Sequence, residues 1–172
     1  MTNREALEQA GFRGFLRVRE LRETELAAVP AERGVYVFLR DTTSAPSFLT
    51  RSTGGRHHRD GQDPSVSIDA LVDAWVPGSS IVYIGKAGRA GGKSNLRSRL
   101  GTCLRFGAGK PVPHWGGRYI WQLADAEELV VCWALTGERE PAILEGVMLI
   151  AFEHSYGKRP FANRKTERTL AV

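Results

Sequence analysis

Residues 81–88 read IVYIGKAG, a β-branched and aromatic run that ends on glycine and opens into the Gly-rich turn AGRAGGKS (87–94). The first five residues predict a strand. The stretch that follows, NLRSRLGTCLRF, sets Leu96, Leu100 and Leu104 at helical spacing behind a cap at Ser94 or Asn95. A second strand of the same kind, GVYVFLR (34–40), lies upstream beyond a long polar stretch. The relation between these two strands decides the fold.

Between them, residues 41–66 are rich in Ser, Thr, Gly and Pro and predict a long loop, a class usually functional or mobile in compact domains. A short amphipathic helix carrying Ile68, Leu71, Val72 and Trp75 follows. Residues 2–10 predict a helix capped by Thr2 or Asn3 and stopped by Gly11, and TELAAVP (24–30) one more helical turn. RYIWQL and ELVVCWAL read as further strands. A helix over 141–155 has Pro141 at its first position and Gly157 just past its end. This order predicts a small α/β (α+β) domain with a mixed or antiparallel three-stranded central sheet flanked by helices. An N-terminal extension (1–33), an insertion (41–80) and a basic C-terminal tail (157–172) complete it.

The 172 residues suit one domain with a real core, and 42% hydrophobic with 25% charged residues excludes wholesale disorder. Charges throughout the first twenty residues exclude the apolar core of a secretory signal. The most apolar run, AILEGVMLIAF (142–152), is too short to span a bilayer and carries Glu145. A soluble, cytoplasmic chain without a membrane partner is expected. Cys103 and Cys132 read as reduced core thiols.

Twenty-four Lys and Arg oppose 19 Asp and Glu, for net +5. Their distribution says more than the total. No acid stands between Asp73 and Asp125, where Lys86, Arg89, Lys93, Arg97, Arg99, Arg105, Lys110 and Arg118 all fall. A one-signed stretch of this kind is the electrostatic footprint of a polyanion site.

Two phosphate-binding readings follow. AGRAGGKS nearly matches the G-x-x-x-x-G-K-[ST] phosphate loop, in which backbone N–H groups, Lys93 and Ser94 would grip a nucleotide. Ala87 stands where the first Gly belongs, and LVVCWAL ends in no acid to hold magnesium. Taken together instead, GVY (34–36) and YIG (83–85) resemble the paired signature of the GIY-YIG nuclease superfamily, with Val35 in place of Ile. Further residues fall in that family's order: Lys86, the Arg of NLRSRL, the Glu of EPAILEGVML and the Asn of PFANRK. The resemblance covers residues 34–165 apart from the insertion, which is much longer than the family's usual connection.

The resemblance implies a Mg²⁺ (or Mn²⁺) dependent endonuclease acting on DNA, with RNA as the other polynucleotide. Tyr36, Tyr83, Lys86, Arg99 and Asn163 are the implied catalytic set and Glu145 the metal ligand. Glu145 also stands out on the helical wheel, among Ala142, Met148, Leu149 and Phe152. A carboxylate on that apolar face calls for a partner, either an arginine or a magnesium ion that takes only one or two protein carboxylates. Tyr36, Tyr83 and Lys86 all compete for the role of base. Arg99 is the implied phosphate clamp, although Arg97 sits equally close to the leucine stripe. Arg89, Lys93, Arg97, Arg105, His114 and Arg118 are the expected nucleic-acid contacts, His57 and His58 are loop residues that touch phosphate, and Asn163 fixes the site. No separate DNA-binding module is visible. Target choice must come from the insertion, the extension, self-association as a homodimer, or another protein.

Overall fold

A computed structural model describes residues 3–164. Helix α1 (Arg4–Gln9), capped by the Asn3 side chain, leads into β1 (Arg13–Arg17) and α2 (Val18–Glu23). Strand β2 (Gly34–Leu39) is followed by the insertion with its helix α3 (Ile68–Ala74), then by β3 (Ile81–Ala87) and α4 (Leu96–Gly107). Two 3-10 segments (Trp115–Gln122 and Ala126–Glu128) precede β4 (Val130–Leu135) and α5 (Pro141–Tyr156).

The sheet is antiparallel throughout, in the order β1-β4-β2-β3. It therefore has four strands rather than the expected three. The extra strand, β1, comes from the N-terminal extension. Its alternation is hidden because Phe15 (φ 54°) forms a bulge and the strand is mostly exposed. RYIWQL is also not a strand but part of the first 3-10 segment. Tyr119, Ile120 and Trp121 are buried consecutively, without the alternation of a half-buried strand, and tertiary packing overrides their β preference.

The period of two along β2 divides the core. Val35, Val37 and Leu39 face one side, where Leu7 of α1 and Met148 and Phe152 of α5 cover them. Tyr36 and Phe38 face the other, among Leu96, Leu100 and Leu104 of α4, the first 3-10 segment and Phe161. The insertion is pinned down rather than loose. Gln122, fully buried, donates to Leu49 O and Val66 O and accepts from Val66 N, and the insertion's own backbone bonds along the 3-10 segment through Leu49 and Thr53.

Candidate active site

The site is built on the β2–β3 pair. Tyr36 lies opposite Gly85 and Phe38 opposite Tyr83, so the two tyrosines, distant in sequence, become diagonal neighbours with ring centroids 6.0 Å apart. Gly85 is required by this packing. A Cβ there would lie 2.5 Å from Tyr36 Cζ and 2.7 Å from Tyr83 Cε1, inside contact distance. Gly34 is required too, since a Cβ would meet the Ala134 carbonyl oxygen of β4 at 2.2 Å.

Strand β3 is the sheet edge, and Asn163 closes it. Ile84 N–H donates to Asn163 Oδ1 (2.8 Å), and Asn163 Nδ2 donates to Ile84 O (2.7 Å). One side-chain amide thus stands in for a neighbouring strand, beside the Ala162 N–H bond to Val82 O. Asn163→Ala is expected to lower stability by roughly 1–3 kcal/mol, the loss of two hydrogen bonds at the edge. Asn163→Asp should be worse, because its second oxygen faces the Ile84 carbonyl without a proton to offer. Urea midpoints at unchanged m-value check both.

Above the tyrosines lies α4. Arg97 is exposed and turns away, its Nε donating to Val29 O at 2.7 Å. Arg99 is half-buried, donates to Pro113 O at 3.3 Å, and interacts electrostatically with both tyrosines. Burial works against its charge, yet Tyr36 and Tyr83 outweigh that and hold its pKa above the ordinary value. Burial pushes the phenols up as well: Tyr36 well above its usual range, and Tyr83 to about 12. The Tyr36 hydroxyl is fully buried and makes no hydrogen bond, while Tyr83 is 9% exposed. Neither environment favours a tyrosinate base.

Lys86 and Glu145 approach from the other face of the sheet. Lys86 pairs across the strands with Val35, on the α5 side, and its Nζ donates to Glu145 Oε2 at 2.7 Å. The partner of the isolated carboxylate is thus a lysine, not an arginine. Lys86 is 46% exposed at the side chain and Glu145 19%, so the pair contributes about 0–1 kcal/mol. Tyr83, on the edge strand between the two faces, interacts with both the Arg99 and the Glu145 charge. Glu145 Oε1 makes no hydrogen bond among the described residues. That free carboxylate oxygen suits a hard divalent cation that completes its shell with water and phosphate. No cluster of three or more His, Cys, Asp or Glu capable of holding a metal occurs among the described residues.

The remaining expected contacts divide. Arg89 and Lys93 line a 450 Å³ cavity with Arg33, Gly91 and Asn95 beside the Gly-rich turn. Helix α4 begins only at Leu96, capped by Asn95, so Lys93 and Ser94 precede it. Arg105 is exposed on α4. His114 is not a surface contact: it is 2% exposed, edge-on to Tyr83 and Phe106, with both ring nitrogens unpaired. His57 bonds Asp60 and packs on His58 and Trp115. Arg118 lies over Trp115 and Tyr119. Sequence reasoning missed Arg164, which also lies over Tyr119; its position next to Asn163 was the available signal.

Among the described residues no helix is long and apolar enough to cross a membrane. Comparisons with protein-family models, with curated proteins and with solved structures find no match to this chain.

Proposed function

We propose that the chain is an endonuclease of the GIY-YIG type that hydrolyses DNA phosphodiester bonds with Mg²⁺ or Mn²⁺. One observation carries this reading. Tyr36, Tyr83 and Arg99 gather at an edge strand whose next outward residue, Lys86, reaches the carboxylate of Glu145.

Phosphodiester hydrolysis needs an ordered water, compensation of charge on the phosphoryl oxygens and stabilisation of the leaving oxygen. Arg99 provides a charged clamp that the tyrosines keep protonated. The phenols, held neutral by burial, order water or phosphate as hydrogen-bonding groups instead of acting as bases. Glu145 would hold the metal through its free oxygen. The bound ion supplies positive charge against the phosphate and the departing oxygen. Asn163 holds the Tyr83–Gly85 backbone in register while these groups act.

Supercoiled plasmid is the direct test. Wild-type protein is expected to nick it with Mg²⁺ or Mn²⁺ and not in EDTA. Absence of nicking with every divalent metal tried overturns the nuclease reading and leaves a nucleic-acid-binding module of the same architecture.

A further inference from the structure

Beside the tyrosine site, two guanidinium groups share one aromatic ring. Arg118 lies 5.3 Å from the Tyr119 ring centroid and Arg164 lies 5.8 Å from it. Arg118 also sits 4.9 Å over Trp115, and its hydrogen bond within the protein is a long one to Trp115 O at 3.4 Å. Among the described residues no carboxylate pairs with either arginine. Two like charges held together without a counter-ion repel each other, and an anion relieves that repulsion. Burial of Arg118 lowers its pKa, and the Arg164 charge lowers it further.

The pair is attached to the candidate site by both chains that carry it. Arg164 follows Asn163, which clamps Ile84. Arg118 lies in the 3-10 segment that starts after His114, itself packed on Tyr83. Trp115, half-buried, adds an aromatic surface of the kind on which nucleic-acid bases stack.

We infer that Arg118 and Arg164 form a second phosphate subsite, which binds the DNA strand at a phosphate flanking the one held by Arg99. This rests on the nuclease reading and extends it, because it gives the strand a direction across the protein, from Arg99 along the first 3-10 segment toward Arg164. Guanidinium forks suit phosphate oxygens, and their stacking on Tyr119 sets their orientation before DNA arrives.

The test is binding without cleavage. Fluorescence anisotropy in EDTA measures Kd for labelled single-stranded and duplex DNA of one sequence over a range of salt concentrations. The proteins are wild type, Arg118→Gln/Arg164→Gln, Arg118→Lys/Arg164→Lys, and a charge-matched control, Arg13→Gln/Arg19→Gln, at the opposite sheet edge. The Gln pair should raise Kd at least about tenfold. It should reduce the slope of log K against log salt by about 1.8 for duplex or about 1.4 for a single strand, which identifies the form that reaches the subsite. The Lys pair should retain most of the salt slope, and the control should bind as wild type. A Gln pair that binds like the control, while wild type binds and nicks, overturns the subsite and leaves the nuclease reading standing. Wild type that binds neither DNA overturns both.

Discussion

Glu145→Gln is expected to cut plasmid nicking by at least about 1000-fold at saturating Mg²⁺. A metal at a phosphoryl centre supplies several kcal/mol of charge stabilisation, and each 1.36 kcal/mol is a factor of ten in rate. The substitution keeps the shape of the side chain and leaves an amide oxygen that can still accept from Lys86 Nζ, now 2.7 Å from Oε2. It removes the negative charge that would hold the ion. Stability should barely move, since a half-exposed ion pair contributes at most about 1 kcal/mol. A variant with wild-type Tm and no nicking separates a metal ligand from a structural carboxylate. Nicking that survives in Glu145→Gln overturns the assignment of the metal to this residue. The companion variant Lys86→Met frees the carboxylate and should tighten the apparent Mg²⁺ requirement if the lysine competes with the ion for Glu145.

Those candidate residues were legible in the sequence for different reasons. The tyrosines stood in two β-branched runs, where strand character is strong, and Glu145 interrupted an otherwise apolar helical face. In the fold that face packs inward through Met148 and Phe152, so the anomaly was real. The choice between Arg97 and Arg99 was not legible. Both flank the leucine stripe of α4, and what separates them is the Val29 carbonyl, which captures Arg97 from a turn far away in sequence. Strand β1 was hidden by its arginines and its bulge, and it matters because it completes the sheet against β4. The run RYIWQL misled because aromatic and β-branched residues favour strands only where the two faces differ in burial. Here Gln122 fastens the insertion to that segment, an interaction with no local signature. Long-range polar clamps of this kind, Gln122 and Asn163 alike, look in sequence like any amide in a loop.

His114 shows the same limit and gives the second large effect. Its place in HWGGR within a basic stretch suggested a contact with nucleic acid, yet the ring is enclosed by Tyr83 and Phe106. Burial, with the Arg99 charge nearby, drops its pKa from the ordinary 6.5 to about 3. The folded protein therefore holds a neutral imidazole where the unfolded chain, between those two values, holds a charged one. In that window the unfolded state binds more protons, so stability rises with pH and is lost as pH falls. The contribution is fully present above about pH 6.5 and drains away toward pH 3. Between about pH 7.5 and about pH 5, His114 alone should cost roughly 2 kcal/mol, near 1.5 units at 1.36 kcal/mol each. His114→Leu removes the titrating ring. Its absolute stability can fall through altered packing, so the quantity to compare is the difference in unfolding free energy between the two pH values within each protein. That difference should shrink by about 2 kcal/mol in the variant, by urea denaturation in matched buffers. An unchanged pH dependence means that the imidazole is already protonated in the fold, and that Arg99 and Tyr83 are arranged around a cation rather than a neutral ring.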